Sequence, residues 1–112
     1  MYHTNLDTSA LEWSPMDERG ISMKMLYRDS ASGAMTAMTR MAAGSALPAH
    51  RHTAADQTVF VLEGDLIDAG TTYGPGTFLV AKAGSPHGPH TTAGGCVLLT
   101  TYSATPDFVA VE

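Results

Sequence analysis

His50 and His52 stand one residue apart inside GSALPAHRHTAADQTVFVLEG, the stretch from Gly44 to Gly64. Side chains alternate between faces in an extended chain. The two imidazoles would therefore project together, with Arg51 opposite. Such a pair is half of a metal site. Taken alone it also reads as two surface histidines in a loop, because Pro48 and small residues surround it. His87 supplies a third imidazole downstream, after the glycine-bounded apolar run Gly76 to Gly84. Three neutral imidazoles with open positions suit a catalytic metal better than a closed structural one. Zinc, iron, nickel and copper all accept such ligands. The neighbouring pair Asp56-Gln57 offers a fourth polar group. Gln57 shares its parity with Val59 and Val61, whereas Asp56 has the opposite parity, so the pattern favours Gln57 as the inward residue. It could ligate, or hydrogen-bond a bound water or a ligand histidine. Without a carboxylate the ion would stay a stronger Lewis acid and welcome enolates or carboxylates.

The other reactive side chains read more plainly. His90 follows His87 in a Gly-Pro loop and is expected to be an exposed loop residue, with a second ligand or proton shuttle as the alternatives. His3 belongs to a terminus. Cys96 opens an apolar strand and reads as a small buried thiol. Tyr27, Tyr73 and Tyr102 read as barrel-wall aromatics. Arg40 is expected to face solvent, with an inward anion-binding role as the alternative. The methionines read as core filler.

These residues need strands to hold them. The chain has 112 residues, eleven glycines, six prolines and one cysteine, with a net charge of -5. That length builds one modest core. The acidic balance, without a basic run, excludes a nucleic-acid backbone partner. Neither a membrane-span-length apolar stretch nor a signal peptide is visible, and a lone cysteine excludes an internal disulfide framework, so the expected location is cytoplasmic. Strands are expected over Ile21 to Arg28, Ala34 to Met41, Leu47 to His52, Thr58 to Leu62, Leu66 to Asp68, Thr71 to Tyr73, Thr77 to Ala81 and Cys96 to Ser103. Met35, Met38 and Met41 recur at a spacing that also suits a helix, but the short run between Gly33 and Gly44 lacks a cap and favours a strand. Glu63-Gly64-Asp65 reads as a tight turn with Leu66 to Asp68 returning. Short strands between Gly and Pro turns indicate an all-β sandwich or barrel. Residues 1 to 20 read as an arm lying across the body of the domain or across a partner subunit and tied down by Trp13, and Phe108 to Val111 as an edge strand or a reach to a neighbour. Both could cover open edges across a two-fold axis, so a homodimer is expected.

Together the two histidine stretches resemble the two motifs of the cupin superfamily. Gly44, His50, His52 and Gly64 fall in register with the first, and Gln57 or Asp56 stands where that family has Glu. Gly76, Gly84 and His87 match the second, while Lys82 replaces its Pro and Thr91 its Asn. Within the superfamily, Trp13-Ser14-Pro15, Thr39-Arg40, Val61 to Gly64, Gly84 to His87 and Gly95-Cys96 look like the ChrR-type cupins. The resemblance implies one jelly-roll domain over residues 1–112, an arm at 1–20 and a motif-bearing core at 40–103. It implies one divalent ion on His50, His52 and His87, with Gln57 as ligand or catalytic orienter. Iron(II) is favoured, with zinc or nickel as alternatives. By similarity to three-histidine dioxygenases, it implies oxidation of a small enolisable β-dicarbonyl compound. The competing readings are a non-enzymatic zinc or small-ligand module of the sensor type, and a jelly roll with a vestigial site.

Overall fold

The computed structural model describes residues 1–16 and 19–111, and its secondary structure is almost wholly antiparallel strand. A single turn of 3-10 helix spans Thr8–Ala10. The strands are β1 (Ser14–Pro15), β2 (Ile21–Arg28), β3 (Met35–Met41), β4 (Ala46–Leu47), β5 (His50–Arg51) and β6 (Gln57–Gly64). They continue with β7 (Leu66–Asp68), β8 (Thr71–Tyr73), β9 (Phe78–Ala81), β10 (His90–Thr91), β11 (Cys96–Tyr102) and β12 (Val109–Ala110). A six-stranded sheet runs β1-β2-β3-β11-β6-β9 and a four-stranded sheet runs β4-β10-β7-β8, with β12 and β5 forming a separate pair. This is the all-β architecture expected from the glycine-punctuated strands, in the jelly-roll form that the cupin resemblance implied. No helix among the described residues is long and apolar enough to cross a membrane.

Alternation explains which side chains fill the space between the sheets. Ile21, Met41, Val61, Leu66, Cys96 and Leu98 form the buried cluster, drawn from both large sheets. The methionine-rich segment is strand β3, paired with β2 on one side and β11 on the other. Two long neighbours satisfy its backbone, which outweighs the helix-like spacing of its methionines.

Two expectations are revised. The segment at Leu47 to His52 is two short strands, because Pro48 has no N–H to donate and interrupts the ladder. Glu63 to Asp65 is a corner between sheets rather than a hairpin: β6 lies in the six-stranded sheet, while β7 pairs with β8 and β10. The two ends of the chain take, of the placements left open for them, the one on the body of this domain. The Trp13 ring takes Lys24 Nζ at 4.7 Å and Arg40 Cζ at 4.5 Å, so cation–π contacts tie the arm to β2 and β3. That contact draws Arg40 to the outside, away from any inward anion site. At the other end β12 pairs with β5.

The sheet-crossing corner depends on Gly64. Its φ is +77°, and a Cβ there would lie 2.0 Å from the Gly95 carbonyl oxygen. Both the backbone sign and the close approach require glycine. Gly64→Ala is expected to cost about 3 kcal/mol or more, read as a lowered urea midpoint at unchanged slope.

Candidate metal centre

The two histidine segments meet through their backbones. His50 N–H donates to His87 O at 3.0 Å, and His87 N–H returns to His50 O at 2.9 Å. Gly84 N–H donates to His52 O at 2.7 Å, so the second segment lies along the first. The alternation inferred from sequence holds: His50 and His52 are buried and Arg51 is exposed. Ring centroids of His50 lie 5.0 Å from His52 and 4.3 Å from His87, and His52 and His87 are 5.2 Å apart. One ring nitrogen from each of the three lies within 4.8 Å of the others, a cluster that could hold a metal ion.

Hydrogen bonds decide which nitrogens face inward. His50 Nδ1–H donates to the Pro48 carbonyl at 2.8 Å, and His52 Nδ1–H to the Asp107 carbonyl at 2.5 Å. Each bond leaves Nε2 carrying a lone pair. His87 Nε2 is buried and has no hydrogen-bond partner among the described residues. An unpartnered buried acceptor is costly, and an ion would relieve it.

Gln57 is buried behind these rings, on the inward face of β6. Its Oε1 lies 3.1 Å from His52 Nε2, while its Nε2 donates to Tyr102 Oη at 3.1 Å. With His52 Nδ1 bonded to Asp107, both Oε1 and Nε2 of that first contact are acceptors. Two lone pairs facing at this distance are stable around a shared cation. Otherwise the amide must turn over and let Tyr102 donate. The donor set therefore fits a divalent ion. Asp56, the alternative fourth group, is half-buried and engaged elsewhere: Lys82 Nζ and Ala83 N–H donate to its carboxylate at 3.0 and 2.8 Å.

Tyr102 thus anchors the far end of the Gln57 amide, accepting from it in one orientation and donating to it in the other. Burial pushes its phenol up to about 12, so it stays a neutral hydroxyl. Tyr102→Phe is expected to weaken metal binding roughly tenfold, because the amide loses the hydrogen bond that anchors it beside His52. Competition with a chromogenic chelator checks this.

His90 differs from its expectation as an exposed loop residue. It lies in β10, its side chain is 12 % exposed, and Nε2 is 3.2 Å from the Asp68 carboxylate. Its ring centroid is 5.5 Å from that of His50 and 5.3 Å from that of His87, outside the three-nitrogen cluster. Sequence reading also passed over Asp107 and Phe108. The Asp107 carboxylate accepts from Thr53 N–H at 2.7 Å and Thr53 Oγ1–H at 2.6 Å, and Phe108 stacks on His50 at 4.0 Å. The only available signal was an apolar residue after a Thr-Pro-Asp turn.

Burial favours the neutral form of the His50, His87 and His90 rings. Burial pushes His50 down to about 4, with neighbouring His87, His90 and His52 acting in the same direction and the Pro48 carbonyl opposing. Burial also lowers His87 and His90. Neutral imidazole is the ligating form. For metal-free protein the sign follows from linkage. The folded value of His50 lies below its ordinary 6.5, so its contribution is present above that value and lost as pH falls towards 4. Its loss is expected to amount to about 2–3 kcal/mol between about pH 7.5 and pH 4.5, measured as urea midpoints in chelator.

Beside the histidines lies an apolar cavity of about 100 Å³ that reaches Leu66 and Leu98.

The chain matches the family described as the ChrR Cupin-like domain over residues 2–106. Nothing among curated proteins matches it. Solved structures share its fold. A candidate acetylacetone dioxygenase from Methylibium petroleiphilum superposes with TM-score 0.84 at 17 % identity, covering 100 % of this chain and 83 % of that one. The polyketide cyclase RemF from Streptomyces resistomycificus gives 0.82 at 19 % identity, covering 99 % and 87 %. A chain of the Rhodobacter sphaeroides complex of SigE with the anti-sigma ChrR gives 0.67 at 23 %, covering 85 % and 50 %.

Proposed function

The chain belongs to the ChrR cupin-like domain family, and on that premise we propose that it is a mononuclear, iron(II)-dependent dioxygenase-type cupin acting on a small enolisable compound. The observation that carries this is the convergence of His50, His52 and His87, their ring nitrogens within 4.8 Å, at the edge of a cavity able to take a ligand. These three residues would hold the ion, with Gln57 Oε1 as fourth donor. The ion would supply Lewis acidity and, as iron(II), chemistry with oxygen.

The protein's own groups do the rest. Asp107 and Pro48 carbonyls hold the His52 and His50 rings in the ligating tautomer. The Gln57 amide, fixed by Tyr102, orients a polar ligand or a water. Phe108 and the apolar wall restrict water at the centre. The test is metal analysis of protein purified without added metal, then oxygen uptake with a panel of β-dicarbonyl compounds. Uptake above the buffer rate, lost on iron removal, is expected; no uptake with iron fully loaded refutes it.

A second reading has its own support: the family match is to a domain named for ChrR, and ChrR itself is described as an anti-sigma. A non-enzymatic zinc or small-ligand module predicts tight zinc, no turnover and a metal-dependent melting temperature. The free, buried thiol of Cys96 fits a reducing, cytoplasmic location under either reading.

The dimer is proposed through a surface other than the two chain ends. Phe60, Leu62, Phe78 and Val80 are 37, 37, 59 and 55 % exposed on β6 and the edge strand β9, with Phe60 paired to Phe78. They expose on the order of 300 Å² of apolar surface, enough to mark a contact and to form the centre of a subunit interface. The four bear no charge, so two acidic chains can meet there. Wild type is expected to sediment as two chains and Phe78→Lys as one; a monomeric wild type at micromolar concentration refutes this.

A further inference from the structure

The cavity beside the histidines is polar at one end only. Its wall includes Ile21, Met41, Val59, Leu66 and Leu98, and no Asp, Glu, Lys or Arg lines it among the described residues. Two hydroxyls, those of Thr39 and Thr100, also face it, but they are spent on one another. Thr100 Oγ1 donates to the Ala37 carbonyl at 3.1 Å, so the 3.2 Å contact with Thr39 uses the Thr39 proton. Hydrogen-bond donors for a ligand are therefore confined to the end where Gln57, Tyr102 and the imidazoles stand, and the threonines keep acceptor lone pairs alone. A ligand reaching inward would find apolar contact and no donor, and a carboxylate or carbonyl on its far end would lose its water without compensation.

Volume sets the size of what fits. A cavity of about 150 Å³ lined by aliphatic residues holds a benzene ring. At about 100 Å³ this one is too small for that ring, and in proportion takes about four carbons.

We propose that this cavity is the specificity pocket of the site: it seats a short, uncharged alkyl end of about two to four carbons on a ligand whose polar head lies at His50, His52 and Gln57. This rests on the metal-centre reading for the head, and adds the class of the tail. It excludes sugars, dicarboxylates and aryl ketones as good ligands. It also assigns size selection to Leu98 and Val59, which face the cavity from β11 and β6.

The test uses zinc-loaded protein, which is redox-inert, and alkyl hydroxamates as chelating probes in calorimetry. Affinity is expected to rise about three- to fourfold for each added methylene from acetohydroxamate to butanohydroxamate. It should then fall at least tenfold for hexanohydroxamate and benzohydroxamate. Leu98→Ala, or Val59→Ala at a half-buried position should the first variant unfold, is expected to recover benzohydroxamate binding. A flat series, or wild type binding benzohydroxamate as well as butanohydroxamate, overturns the pocket while leaving the metal centre intact. Failure of acetohydroxamate to bind zinc-loaded protein overturns the head and the tail together. Oxygen uptake is not read here, so loss of the dioxygenase reading is scored separately.

Discussion

His87→Ala is expected to take bound metal from near one ion per chain to a trace, while the melting temperature of metal-free protein stays within a few degrees of wild type. The asymmetry follows from what the ring does without an ion. Its Nε2 has no partner among the described residues, and its Nδ1 lies a long 3.4 Å from the Ser85 carbonyl. The contacts that join the two histidine segments use the backbone of residue 87, which alanine keeps. Removal therefore deletes a ligand without deleting a brace. His90→Ala is the opposite case. It breaks the contact to Asp68, an aspartate whose other oxygen accepts from Gly88 N–H at 3.0 Å, and should destabilise the fold while leaving metal content near wild type. Metal analysis and thermal unfolding of both variants, each with and without chelator, separate the roles. If His87→Ala retained stoichiometric metal, the three-imidazole centre would be wrong. If His90→Ala lost metal with its fold intact, the fourth ring would belong to the centre.

The contrast between those two histidines also shows what the sequence could carry. His50, His52 and His87 stand at spacings that strand alternation and the glycine frame make visible, and the inward parity of Gln57 follows from Val59 and Val61 on the same strand. β2 and β11 are long enough for their patterns to declare them, whereas β3 was legible only from its bracketing glycines and the missing cap. His90 was obscured because its environment is nonlocal: β10 is two residues long and is built by pairing with β4 and β7. The same holds for the corner at Gly64-Asp65. A glycine next to an acid serves a hairpin or a crossing between sheets equally well, and only the partners of β7 decide. The ends of the chain were left between two placements for a related reason. Trp13 and Phe108 read as apolar anchors, and nothing local says whether the surface they cover lies on the same chain or on a neighbour.

Ending the chain at Pro106 is expected to weaken metal binding about 10- to 100-fold, although none of the removed residues contributes a ligand. The removed segment is a strap across the histidine strand. Its β12 pairs with β5, Val111 N–H donates to Ala49 O at 3.1 Å, the Asp107 carbonyl fixes the His52 tautomer, and Phe108 covers His50. Without the carbonyl, His52 can carry its proton on Nε2 and point a donor at the ion's place, while His50 loses its apolar cover. Point variants divide these effects. Asp107→Ala removes the carboxylate that accepts from Thr53 but retains the backbone carbonyl, so it should cost only a few-fold in affinity. The Thr53 hydrogen bonds hold that carboxyl below the usual range, so this anchor is present at neutral pH and weakens only in acid. Phe108→Ala removes the stacked ring alone and should fall between Asp107→Ala and the truncation. Chelator competition on the three proteins, at a temperature where circular dichroism shows each folded, gives the order. Equal affinity in all three would mean that His52 and His50 are held by β5 and the Pro48 carbonyl alone, and that the strap is only an edge strand.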